Sequence, residues 1–198
     1  MNPAWVAYKL LKIDNHDQED RPSRFKTDLR ARAQVKHDDY RNSGFDRGHT
    51  APNHAIAAVY CDNAQVETFL MSKVVPQKPD LNRILWRLLE REVFTEWLPK
   101  FEDLWVITGP VYERSLGTLK SGVSIPSGFF KVIADITDKE EMRVLSFLVP
   151  LDASDFDRVR EYLSSIEDIE MASGWDLYSG LEDAIEAELE ALESRRMW

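Results

Sequence analysis

The chain of 198 residues is 43% hydrophobic and 11% aromatic, which suits one domain with a sizeable core and excludes a disordered chain. Its single cysteine, Cys61, excludes an internal disulfide framework, and the lack of any 18-residue apolar run excludes a membrane-spanning helix. The net charge of −10 is uneven: residues 152–198 hold 14 acidic and 4 basic side chains, whereas residues 1–151 hold 21 of each. Acidity argues against a nucleic-acid partner, but here that objection applies only to the last quarter.

No signal or transit peptide is read at the start, and residues 4–13 are expected to form a strand almost at once. The compartment therefore stays open. Residues 14–43 are polar and irregular, with Arg21, Arg24, Lys26, Arg30, Arg32 and Lys36 forming either a solvated loop or a basic arm for phosphates. Next comes "GFDRGHTAPNHAIAAVYCDN" (44–63), which holds His49 and His54 and reads as a polar loop. "TFLMSKVVPQ" (68–77) reads as an apolar strand ending at Pro76. Apolar residues at 81, 84, 85, 88, 89 and 93 then have helical spacing, with Pro79 and Asp80 before them and Pro99 at the end.

Residues 104–112, 129–136 and 142–150 are expected strands, the last two around the turn 137–141. Ser154 or Asp155 is placed to cap a helix through Leu163. A short acidic segment runs to Gly174. An acidic helix over 181–194 is expected to pack through Leu181, Ile185, Leu189 and Leu192. Strands and helices interleave without regular alternation, which points to an α+β fold with a mixed, mainly antiparallel central sheet flanked by helices.

Phosphodiester hydrolysis needs a base to activate water, a cation against developing charge, and groups that hold the substrate. His49 is a candidate base, because imidazole titrates near neutrality. Arg47 can donate to phosphate oxygens, and Asp46 can orient its neighbours. Asn82 and Glu90 lie eight residues apart on the expected helix, which rotates them about 80° beyond two turns and separates them by about 12 Å. Asn82 as a direct metal ligand and Glu90 acting through water is the division this spacing favours. One neutral ligand suits Mg²⁺, which dehydrates reluctantly. The bland alternative makes Asn82 a helix-terminal polar residue. His37, His49, His54 and Cys61 do not have the spacing of a zinc site.

"SGFDRGHTAP" (43–52) resembles the DRGH signature of the DNA/RNA non-specific endonucleases with a ββα-metal active site, in their endonuclease G-like branch. The likeness continues through "DNAQVETFLMSKVVPQKPDLNRILWRLLE" (62–90), "WVITGPVY" (105–112), "IPSGFFKVI" (125–133) and "IEDIEMASGWDLYSGL" (166–181). The order DRGH, then Asn 33 residues past the His, then Glu eight later is specific.

The resemblance implies a sugar-non-specific hydrolase of DNA and RNA, single- or double-stranded, that leaves 5′-phosphates. His49 would be the general base, Asn82 the direct Mg²⁺ ligand (Mn²⁺ or another divalent cation can substitute), and Glu90 would fix the ion's waters. Arg47 would bind phosphate and Asp46 would support the site. Arg24 or Lys26 would match an upstream phosphate-binding arginine, and Gln77 would shape the site. His54 falls at a variable position and is expected to be non-catalytic.

The chain departs from the family at Lys73, where an Asn is usual, and at Thr50. Lys73 either adds a phosphate contact or impairs the site. Residues 1–181 would form the endonuclease domain and 182–198 an acidic C-terminal helix. A homodimer and an exported or mitochondrial location are family expectations. The contrasting reading is a nuclease-derived module that binds nucleic acid or protein without cutting.

Overall fold

A computed structural model describes residues 2–12, 20–136, 142–190 and 197–198. The expected turn at 137–141 and the end of the expected C-terminal helix, with Leu192, lie outside these residues. Four antiparallel strands form the main sheet in the order β1 (Val6–Leu11), β4 (Asp103–Val111), β5 (Gly128–Ile136), β6 (Met142–Pro150). A second, two-stranded ribbon pairs β2 (Asp46–His49) with β3 (Val74–Gln77), also antiparallel. The architecture is α+β, as expected. The one parallel pairing among the described residues is an isolated bridge between Lys26 and Leu70.

Strand β5 has eight of its nine residues buried, because helices cover both sheet faces. Phe129 and Ile133 meet Leu85, Leu89 and Trp97 on one face. Phe130 and Val132 meet Ile169 on the other. The alternation follows the period of two of a pleated strand.

The helix over 81–100 is not uniform. A π-helical turn, Leu81–Trp86, leads into α3 (Arg87–Glu92), a second π turn, Val93–Trp97, and a 3₁₀ turn, Leu98–Lys100. Wider turns with i→i+5 bonds move the buried stripe onto a spacing of four. Leu81, Leu85, Leu89, Val93 and Trp97 are all buried, while Ile84, expected inside at a 3.6 period, is 43% exposed.

Other segments also differ from expectation. The stretch 44–63 is not a loop: after β2 it forms α1 (Asn53–Val59), whose Ala55–Ala58 run is buried, and it enters α2 (Asp62–Thr68). Residues 68–77 are strand only from Val74, because α2 and a 3₁₀ turn, Met71–Lys73, take up the first part. Asp155 caps Phe156–Tyr162 by accepting from the Asp157 amide, but that segment is 3₁₀ rather than α. The acidic stretch to Gly174 contains α4 (Ile166–Ser173), capped by Ser165 and closed by Gly174 at φ 72°. Helix α5 (Asp183–Glu190) packs on α4, with Leu189 buried. No described helix is long and apolar enough to cross a membrane.

The spacing of four makes a direct comparison. Leu85→Ala is expected to destabilise the fold by about 2–5 kcal/mol. Ile84→Ala is expected to stay within about 0.5 kcal/mol of the parent. Urea midpoints at a common slope measure both, and equal losses would show that the helix keeps its 3.6 period.

Candidate active site

The DRGH strand is short and polar, so it needs a partner to satisfy its backbone. The all-buried VVPQ strand supplies one, pairing Asp46 with Gln77 and His49 with Val74. Gly48 has a steric cause: a Cβ there would lie 2.2 Å from Gln77 Oε1, and Gln77 is itself 1% exposed. Thr50 extends the ribbon, donating from its amide and its hydroxyl to the Lys73 carbonyl at 3.1 and 3.0 Å. Thr50 and Lys73, both expected to depart from the family pattern, are thus bonded to each other. Lys73 is anchored by its backbone beside the His49 end, and its ammonium forms no ion pair among the described residues.

At the other end, Asp46 joins the ribbon to the helix. Asn82 Nδ2 donates to Asp46 Oδ2 at 3.1 Å, and Arg83 forks onto both carboxylate oxygens at 2.7 Å. Burial works to raise the Asp46 pKa, but these donors and the Arg83 and Arg47 charges outweigh it and hold it below the usual carboxylate range. The bond spends one of the amide's N–H groups on Asp46.

His49 sits in an aromatic cage. Its ring lies 4.9 Å from Phe25 and 5.0 Å, edge-on, from Phe69. Its Nε2 is buried without a hydrogen-bond partner among the described residues. Burial, then the Arg21 charge, lowers its pKa to about 4. The imidazole is therefore neutral at pH 7 and able to accept a proton. Arg21 stands over the Phe69 ring at 5.3 Å. The arm is fixed here by the Lys26 amide bonding the Phe69 carbonyl and the Met71 amide bonding the Lys26 carbonyl, at 2.9 and 2.8 Å.

The other basic candidates are placed differently. Arg47 donates through Nε and a terminal nitrogen to the His37 carbonyl and lies over Tyr40. Arg24 points to Asp38 at 3.8 Å with most of its side chain in solvent, and the Lys26 side chain is exposed. Arg30 is committed to Asp28 and Glu67. The basic residue whose charge reaches His49 is thus Arg21, a member of the expected arm that was not singled out within it. His54 lies in the first turn of α1, not in a loop, edge-on to Phe94 at 5.4 Å.

Glu90 faces Lys131, a lysine that is 1% exposed on β5 with its Nζ 4.7 Å over the Trp86 ring. Burial raises the Glu90 pKa to about 7, against the pull of Lys131 and Trp86. Burial likewise lowers the Lys131 pKa, against Glu90. Lys131 was missed in the sequence, although a lone lysine inside "FFKVI" signals a buried partner.

Asp46 and Asn82 are brought together. His49 is not in hydrogen-bond or ion-pair contact with Asn82 or Glu90 among the described residues, and β2 is the element that links them. The donor set fits a hard divalent cation. It offers the Asn82 amide oxygen, while Glu90 Oε1 is buried and has no hydrogen bond. No described cluster of three or more His, Cys, Asp or Glu competes as a ligand cage.

The profile of the family described as DNA/RNA non-specific endonuclease matches residues 1–184. A nuclease of Nostoc sp. is 30% identical over 198 residues, covering 94% of this chain and 70% of that protein. The mitochondrial nuclease EXOG of Mus musculus is 32% identical over 87% of this chain and 51% of its own length. Mitochondrial endonuclease G of Bos taurus is 32% identical over 69% and 48%. The chain thus spans about half the length of these mitochondrial relatives. A crystal structure of an EndoG/EndoGI complex superposes with a TM-score of 0.81 at 25% identity, over 91% of this chain and 80% of that one. A profile match over residues 1–184 establishes that this chain belongs to the DNA/RNA non-specific endonuclease family.

Proposed function

We propose that this chain is a divalent-cation-dependent endonuclease that hydrolyses phosphodiester bonds in DNA and RNA without regard to the sugar. One arrangement carries the reading. A single short strand bears, at one end, a neutral imidazole with a buried unpartnered Nε2 and, at the other, a carboxylate bonded to the asparagine that opens the long helix. These two ends are about 10 Å apart along the strand, from a rise of about 3.3 Å per residue.

In this reading His49 Nε2 takes the proton of the attacking water. The water oxygen bonds to phosphorus, the bond from phosphorus to the 3′-oxygen breaks, and that oxygen is protonated as it leaves. The products are a 5′-phosphate and a 3′-hydroxyl. A pKa of about 4 keeps His49 unprotonated but makes it a weak base. Burial is the larger cause of that depression and the Arg21 charge the smaller, so a phosphodiester anion held by Arg21 offsets only the smaller one. Asn82 and Glu90 would hold Mg²⁺ or Mn²⁺, which supplies charge neutralisation at the phosphate. Asp46 orients Asn82. Arg21 and Lys73 are the arm and ribbon cations best placed for the phosphate. Arg47, bonded to the His37 carbonyl, acts by ordering the arm until substrate competes for it.

His49→Ala is expected to lower Mg²⁺-dependent cleavage of plasmid DNA and of RNA by about 10²–10⁴-fold, and EDTA is expected to abolish parent activity. Robust cleavage by the variant would remove His49 as the base. Nucleic-acid binding by the parent with no cleavage under any divalent cation would favour the binding-module reading.

Arg21→Ala tests the link between arm and base. Arg21 opposes the imidazolium, so removing it is expected to move the His49 midpoint upward from about 4, but only part of the way, because burial, the larger cause, remains. Histidine proton resonances followed against pH read this directly. A midpoint that stays put would detach Arg21 from the site.

A further inference from the structure

We infer that the cavity beside the Phe45 end of the active-site ribbon is a nucleotide subsite, taking one base and its flanking phosphate from the substrate strand. The inference rests on the nuclease reading of the same ribbon and extends it beyond the scissile bond. The cavity has a volume of about 270 Å³. That is just under the usual range for a small-ligand site, and the right order for one base rather than a larger ligand.

The position of the cavity follows from the chain. Phe45 immediately precedes Asp46, and Lys78 immediately follows Gln77, its cross-strand partner. Both therefore sit at the end of the ribbon opposite His49 and Val74. Four residues of strand place the cavity about 13 Å from the base, at about 3.3 Å per residue. A stacked strand rises about 3.4 Å per nucleotide, so the subsite lies a few nucleotides from the bond that breaks.

Its chemistry is two-sided. Phe45 and Ile125, with the buried Leu151, form an apolar floor on which a base can stack. Stacking on such a floor does not discriminate strongly among bases. On the rim, Lys78 and Arg114 are exposed and form no ion pair among the described residues, unlike Arg24, Arg30, Arg83, Arg143 and Arg158. Two uncommitted cations beside an apolar floor suit a phosphate next to a base. Asp152, also lining the cavity, repels phosphate. It thereby fixes the orientation, with the base inward and the phosphate toward Lys78 and Arg114.

The test uses the full chain and the double variant Lys78→Ala/Arg114→Ala, whose changes fall on exposed side chains. The probes are a single-stranded 12-mer, which reaches the cavity from the cleavage site, and a dinucleotide, which does not. The ratio of kcat/KM for the 12-mer over the dinucleotide is expected to fall about tenfold in the variant. Anisotropy of a fluorescein-labelled 12-mer in EDTA is expected to show weaker binding with a shallower salt dependence, and Lys78→Arg/Arg114→Lys is expected to restore both. An unchanged ratio together with unchanged binding would overturn the subsite. If the parent cleaves nothing yet the double variant still loses binding, the nuclease reading fails while the subsite stands.

Discussion

The bond from Asn82 to Asp46 is the constraint on which the rest of the site depends. It ties a four-residue strand to the start of a helix 36 residues later, and the Arg83 fork makes it a charge-assisted clamp rather than a single neutral contact. Without it β2 would be tied to the helix only indirectly, through its pairing with β3, whose chain continues into the helix. With it, the amide group of Asn82 has a defined orientation, because one of its N–H groups is spent on Asp46 and its oxygen is left for another partner. The clamp also explains why Asp46 stays ionised despite being partly buried. Its donors stabilise the charged form more than burial disfavours it.

A second pair of opposite charges lies between the helix and the sheet, and its balance is different. Glu90 and Lys131 each resist ionisation because of burial, and each is held in the charged form by the other. Such a pair adds little to stability compared with apolar side chains of similar size. What it supplies is a carboxylate close to neutrality beneath a site that would bind a cation. The Trp86 ring covers the ammonium from one turn earlier on the helix, which helps explain how a lysine can be tolerated at 1% exposure.

Most of the sheet was legible in the sequence, because strands such as 129–136 are bounded apolar runs that leave few alternatives. The ribbon was harder to read. DRGH carries no alternation, and its strand character comes from pairing with Val74–Gln77, a long-range contact no local pattern announces. Helices α1 and α2 were hidden by polar residues and by an N-terminal proline and cysteine that offer no side-chain cap. The π turns were invisible for a different reason: a 3.6-residue template fits 84, 85, 88 and 89 well, and only packing shows that every fourth residue is buried. Within the site, the motif residues were legible as identities but not as contacts. Arg21, rather than Arg24 or Lys26, reaches His49 because backbone bonds of Lys26 to Phe69 and Met71 dock the arm at that point.

The same layering bears on how an acidic chain could take the polyanionic substrate proposed for it. Residues 166–190 contain nine acidic and no basic side chains. Their helix α4 packs through Ile169 against Phe130 and Val132, the face of β5 opposite the one that meets Leu85 and Leu89. Helix α5 packs on α4 and so lies farther out still. The negative charge is therefore concentrated on the side of the sheet away from the ribbon, where Arg21, Lys73 and Lys78 lie. Placing most of the excess behind the sheet leaves the molecule strongly acidic overall while Arg21, Lys73 and Lys78 lie on the ribbon side, an arrangement that suits contacts to a nucleic-acid backbone.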